Sequence, residues 1–358
     1  PVFLKPEPGG PGLGRGALVE CTDGSVKYDF ITGIGVHGFG HGDLELIRIA
    51  LEASMGDVVM QGNLQCNADA AAFSATLVAA AAPDRLPHCF LTNSGALANE
   101  NALKICMQKT NAAPRVLSFE HCFAGRTNAM CQIGDSAGAR QGVPLNLDVD
   151  YLPFFDPREP EKSSARCIAV LEEAVRRYPG QHACFMMELV QGEGGFNRAP
   201  RSFFLPLLER ARAAGIPIWF DEVQSFGRTE SMFQFQDLSL TDWADVVTIG
   251  KMSQVCATLY TDELNPRPGL LSATFIGSTA ALQVGRRIIE RLRDGDAYGP
   301  EGRHARLHRT FRNAAAELLR AHPQCFRASE ADGAEPGHAQ DGPGRGSAVG
   351  RRRRGGRR

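Results

Sequence analysis

Apolar positions along the chain recur in two ways. Short near-continuous runs at Ala183–Met187, Ile216–Phe220 and Asp245–Ile249 predict strands buried on both faces of a parallel sheet. His88–Thr92 predicts a further short strand. Between these runs the period lengthens. A helix is predicted from about Ala96 to Lys109, with Ala98, Ala102 and Ile105 on one face. Another spans Ser164–Tyr178 and is closed by Pro179-Gly180, and a third runs from Phe203 to Ala214 and ends at Gly215. Thr279–Arg293 predicts a long helix with Val284, Ile288 and Leu292 four residues apart. Nearer the start, Tyr28–Ile31 reads as a strand and Asp43–Ser54 as an amphipathic helix, after a Gly- and Pro-rich lead-in over residues 1–16. Strands alternating with helices define an α/β domain.

After Phe326 this patterning stops. Residues 331–358 hold eight Gly and seven Arg, with Val349 the single large apolar residue, so they are expected to be disordered. The abrupt change in mid-domain suggests a frame-shifted translation of GC-rich DNA. The alternative is a genuine basic tail, in which Arg351–Arg354 touch nucleic acid non-specifically.

Composition narrows the function classes. The 358 residues are enough for two domains, and the formal net charge of −1 implies no general attraction to nucleic acid or membrane. The longest apolar stretch, Ala70–Ala82, is interrupted by Ser74 and Thr76 and is too short to span a bilayer. Ten scattered cysteines without a CxxC pair read as reduced thiols of a cytoplasmic enzyme, with no metal site.

Candidate chemistry lies at strand ends. Glu188, Asp221 and Lys251 each follow a predicted buried strand, and open α/β sheets bind ligands outside the carboxyl ends of their strands. A cofactor that needs both a lysine amine and a carboxylate accounts for the pair Asp221 and Lys251, and pyridoxal phosphate is such a cofactor. The run Asn93-Ser94-Gly95-Ala96 opens a helix directly after a strand, which offers backbone N–H groups to a phosphate. Gly33-Ile34-Gly35-Val36-His37-Gly38 matches the dinucleotide-binding glycine pattern, but further Gly and His follow instead of a helix. It reads as a loop where backbone closely approaches a neighbour. A nicotinamide dehydrogenase built on that run is the weaker alternative.

From about Ala17 to about Arg293 the sequence resembles the class III (ω-) aminotransferases of fold type I. The resemblance rests on Asn93-Ser94-Gly95-Ala96-Leu97-Ala98-Asn99-Glu100, Phe123-Ala124-Gly125-Arg126-Thr127, Glu188 through Gly195, and Phe220-Asp221-Glu222-Val223-Gln224. It implies a three-layer αβα large domain with a mostly parallel sheet and a small C-terminal domain, here truncated. The implied division is an N-terminal segment 1–60, a cofactor domain 61–278, a linking region 279–326 and the tail 327–358.

The resemblance also implies roles. Lys251 would be the Schiff-base lysine, Asp221 the partner of the pyridine nitrogen, and Gln224 that of the ring hydroxyl. Val223 would pack under the ring and Phe123 on its other face. Ser94, Gly95 and Ala96 would surround the phosphate, and Thr274 would reach the phosphate of a neighbouring subunit in an obligate homodimer. Arg126 would hold a substrate carboxylate, and Glu193 would switch between masking and releasing an arginine of the C-terminal domain. For Glu188 a structural role, capping a buried turn, stands beside a functional one.

Three departures accompany this. Ala124 stands where many relatives carry His or Trp, Ser278-Thr279 replace Asn-Pro, and no counterpart of the small domain follows His322-Pro323-Gln324. The implied activity is transfer of an ω-amino group from lysine, ornithine, acetylornithine or 4-aminobutyrate to 2-oxoglutarate. An aminomutase, a decarboxylase or a truncated, non-catalytic member of the family are the alternatives.

Overall fold

A computed structural model of the protein describes residues 11–56 and 62–323. Expectations for residues 1–10 and for the chain from Gln324 onward, including the Gly/Arg-rich tail, lie outside the described residues. The described chain up to Arg306 belongs to one compact unit, and residues from Leu307 fall in a second.

The described residues open on a three-stranded antiparallel sheet of β1 (Pro11–Arg15), β2 (Leu18–Cys21) and β3 (Val26–Tyr28). Residues 11–15 are therefore not a loose lead-in: pairing with β2 satisfies their backbone despite the Gly and Pro content. The strand predicted at Tyr28–Ile31 ends instead at Tyr28, because Asp29 draws the chain into a turn. Its Oδ1 accepts from the N–H groups of Ile31 (2.8 Å) and Thr32 (2.9 Å).

A seven-stranded sheet forms the centre. Its members are β4 (His88–Thr92), β5 (Arg115–Phe119), β6 (Asp148–Leu152), β7 (His182–Met187), β10 (Ile218–Asp221), β11 (Val246–Ile249) and β12 (Cys256–Tyr260), in the order β4-β12-β11-β10-β7-β5-β6. β8 (Val190–Gln191) and β9 (Asn197–Arg198) form a separate two-stranded ribbon. All pairings in the central sheet are parallel except those of β12, which runs antiparallel to both β4 and β11. The expectation of a mostly parallel sheet in an α/β fold holds.

Alternate residues on each strand face opposite layers. Phe185 and Met187 join a core with Phe73, Leu77, Phe203, Phe204 and Ile288, whereas Cys184, Met186 and Trp219 join one with Ala102, Ile105 and Cys106. The helices involved cover both faces and give the three layers. One short turn, α1 (Thr32–Gly35), precedes α2 (Leu44–Met55), α3 (Ala68–Ala81) and α4 (Gly95–Lys109). α5 (Met130–Ile133), α6 (Pro160–Arg177), α7 (Arg201–Ala213), α8 (Gln234–Asp237), α9 (Thr279–Asp294) and α10 (Arg303–Ala321) follow.

The apolar run at Ala70–Ala82 thus becomes α3, buried through Phe73 and Leu77 against the sheet; among the described residues no helix is long and apolar enough to cross a membrane. Ser278, at a departure from the relatives, caps α9: its Oγ accepts from Ala281 N at 3.4 Å. Salt bridges from Arg287 to Glu45 (2.7 Å) and from Arg291 to Asp43 (2.9 Å) seat α9 on α2.

Candidate active site

Parallel strands carry their carboxyl ends to one edge of the sheet, and the register shows which residues arrive there. Asp221 pairs with Thr248, Phe220 with Met187, and Ile249 with Ala257. Asp221, Glu188 and the Lys251 turn therefore emerge together, beside the loop that leads from β4 into α4. Ser94 is the N-cap of α4, its Oγ accepting from Leu97 N at 3.2 Å. The first N–H groups of the helix, those of Gly95 and Ala96, have no partner within the helix.

Lys251 is half-buried, and its Nζ donates to Gln224 Oε1. It opens a single 3₁₀ turn with φ 51°, left-handed backbone that a lysine seldom adopts. Burial lowers the Lys251 pKa, and the Arg228 guanidinium adds to the effect; Glu193, Asp221 and Glu188 act the other way. An amine of depressed pKa has the neutral form within reach, as a nucleophile or base requires.

Asp221 is buried, with Oδ1 accepting from Val223 N (2.9 Å) and Oδ2 from Asn99 Nδ2 (2.7 Å). Burial pushes its carboxyl up to about 6, while these two hydrogen bonds and the charge of Lys251 restrain the rise. Val223 forms part of the floor between the elements. A Cβ on Gly95 would lie 2.7 Å from Val223 Cγ1, and one on Gly250 would lie 3.3 Å from the same atom. Gly192 approaches Gln224 as closely, 2.6 Å from a built Cβ to Cγ. These glycines let three backbones close around the Asp221–Gln224 segment.

Glu188 bridges two loops. Its Oε2 accepts from Phe123 N (2.9 Å) and its Oε1 from Gly192 N (3.2 Å), joining the Phe123 loop to the Gly192 loop. Burial, with the neighbouring charge of Asp221, pushes its carboxyl up to about 8. Phe123 is half-buried with the Arg126 guanidinium 5.6 Å from its ring centre. Arg126 and Glu193 are exposed, and Arg126 has no ion pair among the described residues. Thr274 is exposed beside Asn63, whose Oδ1 accepts from Ala273 N at 2.9 Å; among the described residues no hydrogen bond carries it to Lys251 or Gly95.

Two side chains here escaped sequence reasoning. Asn99 stood inside a quoted motif without a role, and its contact with Asp221 spans 122 positions. Arg228 donates from Nε to the Gln224 carbonyl at 2.8 Å. Its guanidinium rests against Gly35, whose φ of 77° and missing Cβ allow the approach, and Gly38 meets Met252 in the same way. The glycine run at 33–38 is thus a loop of close backbone approach, and the next long helix begins only at Leu44.

This donor set fits pyridoxal phosphate. A half-buried lysine faces an amide oxygen, a buried carboxylate keeps two donors, and a helix end of small residues is left open for an anion.

Comparison with known proteins agrees. The chain is 31% identical over 239 residues to an acetylornithine aminotransferase of Bacillus subtilis (strain 168), covering 66% of this chain and 57% of that protein. A second acetylornithine aminotransferase, from Bacillus amyloliquefaciens, is 31% identical over 229 residues, 63% of this chain and 92% of that one. The chain thus spans little more than half the length of the first of these relatives. Among solved structures, the lysine aminotransferase from M. tuberculosis superposes with a TM-score of 0.77 at 23% identity, over 88% of this chain and 79% of that one. The ornithine aminotransferase from Toxoplasma gondii ME49 gives 0.77 at 21%, over 91% and 76%. Those two structures establish the shared fold. The family model of class-III aminotransferases matches residues 13–314, and the chain belongs to that pyridoxal-phosphate-dependent family.

Proposed function

We propose that the protein is an aminotransferase that moves an ω-amino group from a basic or ω-amino acid, of the lysine, ornithine, acetylornithine or 4-aminobutyrate type, to 2-oxoglutarate. The observation that carries this reading is the lysine–carboxylate pair at one sheet edge. Lys251 is held by Gln224 and interacts electrostatically with the buried Asp221, whose neighbour Val223 packs against Gly95 at the start of α4.

When bound, pyridoxal phosphate supplies a carbonyl to take the amino group and an electron-accepting ring. Lys251 Nζ, depressed by burial, removes a proton from the substrate carbon and returns one during transfer. Asp221 holds the proton on the ring nitrogen, and Gln224 orients both Lys251 and the ring hydroxyl. Val223 and Phe123 would enclose the ring, and Ser94, Gly95 and Ala96 would hold the phosphate. Arg126, exposed beside Phe123, would offer a bidentate guanidinium to a substrate carboxylate. Glu193 would mask an arginine of the C-terminal domain in one half-reaction and release it in the other, and so admit two substrates in turn.

Residues 61–278 are the cofactor-binding domain in this reading. A second copy of the chain completes the site, with Thr274 reaching the neighbour's phosphate. The apolar side chains of Tyr28, Phe30, Ile31, Leu44 and Met55, all exposed in one chain, support such a homodimer. A cytoplasmic setting belongs to the same reading and is supported by the free state of the nine cysteines among the described residues.

The test is the visible absorbance of the purified chain with pyridoxal phosphate, beside Lys251→Ala. A band in the parent that the variant lacks is expected, followed by amino-donor-dependent formation of glutamate from 2-oxoglutarate. A parent without a band would refute the reading. A band without glutamate would redirect it to an aminomutase, a decarboxylase or a non-catalytic member, which product analysis separates.

A further inference from the structure

We propose that Asn99 is a positioning residue: its side-chain amide fixes the orientation and charge of Asp221 and ties that carboxylate to the Phe123–Ala124 backbone. This rests on the reading of Asp221 as the partner of the ring nitrogen.

Asn99 lies on α4, 2% exposed, in the second turn after the candidate phosphate end. Both hydrogens of its Nδ2 are used, one toward Asp221 Oδ2 and one toward Ala124 O, each at 2.7 Å. The amide cannot be turned over. Its oxygen would then face a carboxylate and a carbonyl, both acceptors. In the orientation seen, Asn99 Oδ1 is buried with no hydrogen-bond partner. A buried orphan acceptor is uncommon and works against stability, so the two bonds made by Nδ2 take precedence over satisfying the oxygen.

The groups facing Asp221 come from five elements: Asn99 on α4, Val223 N on its own loop, Lys251 after β11, Glu188 after β7, and the Cys256 thiol on β12, which burial keeps protonated. Of these, Asn99 and Val223 N support the anion without carrying charge. A cation at position 99 would neutralise Asp221 and compete with a protonated ring nitrogen. An acid there, once ionised, would set a second anion against Asp221 and the Ala124 carbonyl, and only by sharing a proton could it donate as the amide does. A neutral donor keeps the negative charge available to the ring. Because the same amide holds Ala124 O, and Glu188 holds Phe123 N, the stacking segment is fixed relative to the carboxylate from both ends.

The experiment uses the full chain, with equilibrium titration of pyridoxal phosphate followed by absorbance from pH 5.5 to 9, and melting of the cofactor-free protein alongside. Asn99→Asp is nearly isosteric. It is expected to bind the cofactor about tenfold or more weakly at pH 8.5, recovering toward the parent as the pH falls and the two carboxyls share a proton. Asn99→Leu, which removes the donor without adding charge, is expected to bind more weakly at every pH with no recovery. Parent-like binding of Asn99→Asp at pH 8.5 overturns the proposal. If Asn99→Asp does not fold, an Asn99→Leu with parental affinity and a parental pH dependence of its absorption band overturns it instead. Asp221→Asn separates this inference from the reading beneath it. If that variant is itself parent-like, the ring-nitrogen assignment fails; if it is impaired while Asn99→Asp is parental, the role of Asn99 alone fails.

Discussion

Replacing Gly95 with alanine tests whether the end of α4 and the Asp221–Gln224 segment meet as tightly as the site requires. The added Cβ would lie 2.7 Å from Val223 Cγ1 and 3.2 Å from Cγ2. Carbon atoms rest at about 3.5–4.0 Å, so the two elements must part by roughly 1 Å. Val223 has little freedom to yield. Its β-branched side chain is stiff at χ1, and its own N–H is bonded to Asp221 Oδ1 at 2.9 Å. Displacing Val223 therefore also loosens the carboxylate. Overpacking of this kind costs about 1–3 kcal/mol. Borne by the bound state alone, that is a rise of about 5- to 150-fold in the Kd for pyridoxal phosphate. Shared with the cofactor-free state, part of it appears as a lower Tm. The assay is cofactor titration and thermal melting of Gly95→Ala, Val223→Ala and the double variant. Removing the valine methyls should relieve the clash, giving a coupling of about 1 kcal/mol or more in the cycle. Gly95→Ala with both Kd and Tm unchanged, or a strictly additive cycle, would refute the close approach.

Three further outcomes follow from the same packing. The cofactor-free chain should lose stability as pH rises from about 5 to 9. Glu188 is raised to about 8, Glu222 to about 7 and Asp221 to about 6, so each favours folding fully below its unfolded pKa and ceases to as pH passes its folded value. Glu188 alone sets an upper bound on the order of 5 kcal/mol; denaturant titrations should show Glu188→Gln flattening the slope between pH 7 and 8.5, and a parent that gains stability over the whole range would contradict the sign. Gly35→Ala should lower stability by about 1–3 kcal/mol, since φ is 77° and the new Cβ would strike the Arg228 guanidinium. Gly24→Ala, at φ 81° with open space around it, isolates the backbone share, and equal Tm losses in the two would remove any role for the clash. Phe203→Ala should cost about 3–5 kcal/mol, because its ring is buried within 5.3–5.8 Å of Phe204, Phe154 and Phe119. A loss under about 1 kcal/mol in a denaturant titration would mean that the aromatic cluster collapses around the gap.

The sequence by itself determined what depends on near neighbours. β4 and the helices around Ala98, Val284 and Phe203 were legible because their apolar spacing is local, and the strands ending at Met187, Asp221 and Ile249 because they are buried on both faces. The placement of Asp221 and Lys251 at strand ends followed from the same runs, and the glycine run at 33–38 was separable from a nucleotide fingerprint because no helix pattern followed it. β5, β6 and β12 were not legible. Val116–Phe119 and Cys256–Tyr260 are wholly buried, yet Ser118 and Thr258 interrupt their apolar runs, and Asp148–Leu152 is only partly covered. Nothing local states that β12 runs against its neighbours, because strand direction is fixed by the path of the connections. The bonds from Asn99 to Asp221 and from Glu188 to Phe123, and the approach of Gly35 to Arg228, join residues 65 positions apart or more. Such contacts arise when the sheet edge is assembled, and periodicity along the chain carries no record of them. Only the tertiary structure could show that Glu188 bonds both the Phe123 and Gly192 loops and that an unassigned asparagine bonds the Asp221 carboxylate, because both contacts belong to a closed, buried hydrogen-bond network.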